Sequence, residues 1–149
     1  METSKLFLKI IIVLFFTSFS AFAQGLNIYQ FIGKSTDAVI SEFGKPLHIN
    51  NNNPSMTCLT YYNPSINCMA DQNGIYQIEM VKNFTSTKEA LDEIRELLAK
   101  SVTEGLVIDS VSASKYILYK KGVKTNIILN EIKNSPTIEL RIKAIRESE

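Results

Sequence analysis

The chain predicts an α+β fold, with helices packed on one face of an antiparallel sheet in the order α-βββ-α-βββ(β). Three observations lead there. Residues 86–102 carry apolar side chains at helical spacing behind a capping pattern. Residues 137–145 alternate apolar and polar side chains with period two. Short β-prone runs meet at the turn signals Asn63-Pro64 and Lys121-Gly122.

The first element is expected to be removed. "METSKLFLKIIIVLFFTSFSAFA" places Lys5 and Lys9 before an apolar run from Ile10 to Phe16, and ends in Ala21-Phe22-Ala23. That is the order of a secretory signal peptide. The uninterrupted apolar run is far shorter than the roughly 20 residues a membrane span needs, so no stable anchor is expected after cleavage. Residues 1–23 therefore read as a leader and 24–149 as one exported domain, periplasmic or secreted. Removing 23 residues from 149 leaves 126, enough for a single core. Lys5, Lys9 and Glu2 leave with the leader, so 16 basic and 15 acidic residues become 14 of each. A neutral chain without a basic block offers no electrostatic footprint for nucleic acid.

"FIGKSTDAVISEFGKP", Phe31 to Pro46, shares Gly33-Lys34-Ser35-Thr36 with the end of a P-loop. The P-loop pattern places a glycine where this chain has Ile28, so the match reads as a helix start instead. Ser35 or Thr36 caps it, Val39, Ile40 and Phe43 form its buried side, Gly44 ends it and Pro46 blocks its continuation. The run Asn50 to Asn53 reads as a flexible loop.

Residues 56–62 and 65–70 read as a hairpin centred on Asn63, so that Tyr61 faces Ser65 and Cys58 faces Cys68. Two cysteines in an exported chain favour a disulfide, and opposed cross-strand positions can accept one. The bridge would be worth about 2–3 kcal/mol in the chain-entropy account. Free thiols are the alternative. "GIYQIEMVKNF" (74–84) is the third strand, with Tyr76, Ile78 and Met80 on one side.

The longer helix follows Ser86-Thr87-Lys88-Glu89, a capping box, with Ala90, Leu91, Ile94, Leu97, Leu98 and Val102 inward and Gly105 as its stop. Residues 106–111 are a candidate edge strand. "SKYILYKK" and "VKTNIILNE" form a hairpin at Lys121-Gly122. "TIELRIKAI" turns Ile138, Leu140, Ile142 and Ala144 inward.

Gly33-Lys34-Ser35, Val39 and Gly44-Lys45-Pro46 resemble the G-x-[ST]-x-x-x-V-x-x-x-x-G-x-P signature of the SmpA/OmlA (BamE-like) exported domains. The β-lactamase inhibitor proteins are similar to that fold in tandem. The resemblance implies a helix on a three-stranded sheet and a non-catalytic, protein-binding role. The lipid-accepting cysteine of the assembly lipoproteins has no counterpart here.

No catalytic residue, cofactor or metal is expected. His48 is the sole histidine and stands without Asp, Glu or Cys at ligand spacing. No G-x-S-x-G elbow favours a serine. Asp71, beside Gln72-Asn73-Gly74, reads as a turn residue. The expected function is binding of another envelope protein or a cell-wall component through Tyr61, Tyr62, Asn63 and Pro64. The consecutive tyrosines of a strand point to opposite faces, one into the core and one outward. A small apolar-ligand carrier and a secreted enzyme inhibitor are the alternatives. Oligomeric state is left open.

Overall fold

A computed structural model describes residues 27–147. The leader and its cleavage site lie outside the described residues. The chain opens with a short 3-10 helix, Ile28–Phe31, then helix α1, Thr36–Phe43. Four strands follow, β1 His48–Asn53, β2 Met56–Tyr61, β3 Ser65–Asp71 and β4 Gly74–Phe84. Helix α2, Thr87–Thr103, leads to β5 Val107–Ser112, β6 Lys115–Lys120, β7 Val123–Glu131 and β8 Ile138–Arg146.

All eight strands form one antiparallel sheet in the order β1-β2-β3-β4-β8-β7-β6-β5. Each half is thus a helix followed by a four-stranded meander, and the meanders join through their last strands, β4 and β8. This corrects the expected fold class and order. The molecule is built mainly of strands, with four rather than three in the first half and four in the second, where three or four were expected. One unexpected strand accounts for the change of order. The Asn50–Asn53 run, expected as a loop, continues from His48 as β1. It has no apolar alternation to announce it and is exposed along its length, yet it completes a ladder with β2. At the far edge β5 occupies the expected position and pairs with β6.

One face of the sheet carries the core. Leu59, Ile66, Cys68, Ile78, Met80, Leu118, Ile127, Leu140, Ile142 and Ala144 are buried together, and α2 adds Ala90, Ile94 and Leu97. Period-two alternation puts these side chains on one face, and their removal from water drives folding at roughly 25 cal/mol per Å² of apolar surface. Lys82 reaches from β4 to Glu93 of α2 at 3.0 Å. The helix is narrower in contact than its sequence suggests, since Val102 is exposed. Ser86 is its N-cap by position, without a side-chain cap hydrogen bond.

Two registers also depart from expectation. Met69 pairs with Gln77 while Ala70 pairs with Ile75, so Tyr76 is an extra residue in β4. This bulge buries Ile75, Ile78 and Met80 and turns Tyr76 to the other face, away from the side it was expected to share with Ile78 and Met80. In the β2–β3 hairpin Tyr61 faces Ile66 and Leu59 faces Cys68, one position beyond the expected pairing. A one-residue slip exchanges the faces of a strand. Cys58 therefore stands opposite Met69 on the uncovered face, while Cys68 is in the core. The two cysteines are free thiols, which corrects the expected Cys58–Cys68 bridge.

The Gly33-Lys34 segment is held by backbone pairing. The Gly33 amide donates to the Ile75 carbonyl and the Ile75 amide to the Lys34 carbonyl, both at 2.8 Å. A Cβ on Gly74 would lie 2.7 Å from both carbonyl oxygens of that segment, so glycine alone fits there. The Gly33 amide is thereby spent on a strand, and Ser35 is the N-cap of α1 by position. The motif starts a helix.

Candidate functional site

The β2–β3 tip divides its two tyrosines as strand alternation requires. Tyr61 is 7% exposed; its ring meets Phe43 edge-on at 6.0 Å and its hydroxyl donates to the Gly44 carbonyl at 3.1 Å. Burial raises its phenol pKa. Tyr61 therefore fastens the end of α1 to the sheet and leaves the expected contact surface. Tyr62 is the opposite, 83% exposed. Asn63 is exposed beside it and Pro64 half-buried, across a cis peptide bond.

Sequence reasoning missed the neighbours of this tip. The Leu47 amide donates to the Thr60 carbonyl at 2.8 Å, which brings Leu47 alongside the end of β2. It is 73% exposed, and Ile49, two residues on, is 46% exposed. Ile49 stands opposite buried Leu59, so Leu47 and Ile49 line the core-side rim of this edge, while Tyr62 projects from the adjoining tip on the other face. Beside them runs the free edge of β1, a strand without Lys, Arg, Asp or Glu. Natural edge strands are commonly guarded by charge against pairing with another chain. Leu47 could have been noticed as an apolar residue next to Pro46, but its exposure depended on β1 being a strand.

Several other polar groups form structural pairs. Asp71 accepts from the amide of Asn73 at 2.8 Å and from Arg146 Nη2, while Arg146 Nη1 donates to the Asn73 carbonyl at 3.1 Å. Asp71, expected as a turn residue, is the last residue of β3 and pairs with Gly74, and the Arg146 hydrogen bond holds its carboxyl below the usual range. Arg141 bridges Glu79 and Glu139 across the uncovered face. Tyr29 donates to Glu104 at 2.8 Å, with Ser101 Oγ 3.4 Å away, and burial pushes its phenol to about 12. His48 lies exposed in β1. Among the described residues no group of three or more His, Cys, Asp and Glu is arranged to hold a metal ion.

Open clefts of about 450–500 Å³ lie at the ends of strands, in the turns around Asp71 and in the loop 131–138. A carrier would need its pocket between sheet and helix, where the core side chains pack.

No family model and no curated protein matches the chain. The 1.5 Å crystal structure of an extracellular protein containing an SCP domain, from Bacillus anthracis str. Ames, is similar at a TM-score of 0.44 with 5% identity. The match covers 80% of this chain and 45% of that one, so the chain spans less than half of that protein's length. A likeness of this size assigns neither family nor activity.

Proposed function

We propose that the protein is a non-catalytic exported domain that binds another envelope protein through the corner formed by Tyr62, Asn63, Pro64, Leu47 and Ile49. Export is inferred from the leader at residues 1–23. The protein-binding role agrees with what the SmpA/OmlA-like segment 33–46 implies. The observation that carries the reading is an uncharged edge strand rimmed by exposed Leu47 and Ile49, with exposed Tyr62 at the adjoining tip. An extended segment of the partner adds to β1 through main-chain hydrogen bonds and covers Leu47 and Ile49, while Tyr62 supplies a rigid aromatic anchor. A tip already ordered by its hairpin loses little entropy on association.

Site-specific photo-crosslinking in the intact envelope tests this. A photoreactive residue at position 62 or 49 should yield a dominant adduct with one envelope protein, and the same residue at 107 or 111 on the far edge should not. Against that purified protein, Tyr62→Ala should weaken binding by roughly tenfold or more, about 1.4 kcal/mol. Equal adducts from both edges, or no loss with Tyr62→Ala in a folded protein, overturn the proposal.

A further inference from the structure

The uncovered face of the sheet contains a second constellation, distinct from the corner and built from sulfur. The chain has four methionines and two cysteines. Met80 and Cys68 are in the core. The other three sulfur side chains of the described residues meet on the uncovered face. Cys58 stands opposite Met69 across the β2–β3 ladder. Met56, two residues before Cys58 on the same strand, shares its face. The Tyr76 hydroxyl, turned to this face by its bulge, lies 3.1 Å from Met56 Sδ and 3.5 Å from Met69 Sδ. The two thioethers therefore cannot be farther apart than those two distances laid end to end. All four side chains are half-buried, reachable but not freely solvated.

We propose that Cys58, Met56 and Met69 form a binding site for a soft monovalent metal ion, copper(I). Thiolate and thioether donors select copper(I), whereas carboxylates, carbonyls and water suit harder ions. Hard competition is suppressed locally, because Asp71 is held by Arg146 and Glu79 by Arg141. If the metal–sulfur bonds are near 2.3 Å, as for zinc, three trigonal donors converge to about 4 Å from one another. The unbranched methionine side chains, each with three rotatable bonds, can make that closure without moving the strands. On binding, three metal–sulfur bonds form, the Cys58 S–H bond breaks, and its proton passes to solvent. No electron is transferred. The ion has a route in: Met56 lines one open cleft and Tyr76 another, and the two adjoin at Asp71.

The test is an anaerobic titration of the leaderless protein with copper(I), in competition with a chromophoric copper(I) chelator, alongside NMR of the methionine methyl groups using silver(I) as a redox-inert probe. One equivalent should bind. The methyl resonances of Met56 and Met69 should shift while that of core Met80 stays in place. Met56→Leu with Met69→Leu should weaken copper(I) binding by roughly tenfold or more, and Cys58→Ser by more again, with circular dichroism checking the fold. Unmoved Met56 and Met69 signals overturn the site, and this readout needs no variant to fold. So does a folded double leucine variant that binds as tightly as the wild type, which would leave a thiol acting alone.

Discussion

The two helix-and-meander halves share a strand plan and fasten their helices by the same device. In the first half the hydroxyl of Tyr61 takes the carbonyl of Gly44, the residue ending α1. In the second, the hydroxyl of Tyr29 takes the carboxylate of Glu104, the residue ending α2. They differ in how much they cover. α1 has 8 residues and buries Val39 alone, whereas α2 has 17 and buries Ala90, Ile94, Leu97 and Ser101. The short helix leaves Leu47 and Ile49 exposed at the β1 edge. Neither edge strand, β1 or β5, has a fully buried residue, but only β1 lacks a charged side chain among its non-histidine residues. The difference teaches where the molecule is free to do something other than fold. Both proposed sites lie in the half with the smaller helix.

The comparison can be broken at the seam. Leu140 is fully buried on β8, between the halves. Leu140→Ala should cost about 2–5 kcal/mol, and chemical unfolding should remain one transition if the halves stand together. Two separated transitions would show that they are independent units. The fasteners sharpen the comparison next. Tyr61→Phe loses a neutral hydrogen bond worth about 1 kcal/mol. Tyr29→Phe loses one to a charged acceptor, about 1.5 kcal/mol after allowing for the exposure of Glu104. Equal losses in urea unfolding would mean the carboxylate adds nothing.

The smallest effect concerns acid. The Asp71 carboxyl is depressed in the folded state by Arg146, so its contribution is present above the unfolded carboxylate pKa of about 3.9 and is lost as pH falls through the folded value. Thermal unfolding should show Asp71→Asn less stable than wild type at neutral pH, with the gap closing below about pH 4. A gap that persists in acid would exclude the ion pair as its source.

Much of this was legible from periodicity. The α2 stripe, the inward set of β8 and the Lys121-Gly122 turn follow from patterns repeated over several residues, and burial enforces them. The partition of Tyr61 from Tyr62 follows from alternation alone. β1 was illegible because "HINNNN" has neither apolar alternation nor β propensity; its order comes from the β2 ladder. The cysteine pairing failed on a single position of hairpin register, which no local signal fixes. The sulfur patch inherits that difficulty. Met56, Cys58, Met69 and Tyr76 share a face only once the register and the β4 bulge are both known.

The seam between β4 and β8 also sets an order of events. Within each half every strand pairs with its sequence neighbour, so both meanders close through short loops. The seam joins residues 77–84 to 138–145 and closes a loop over all the chain between them, so it needs β8 to be present. Non-local pairing of that kind is slow to nucleate. In a chain that emerges from its N-terminus, the first meander waits with the long flank of β4 unoccupied, and that flank is open to any other strand until β8 arrives.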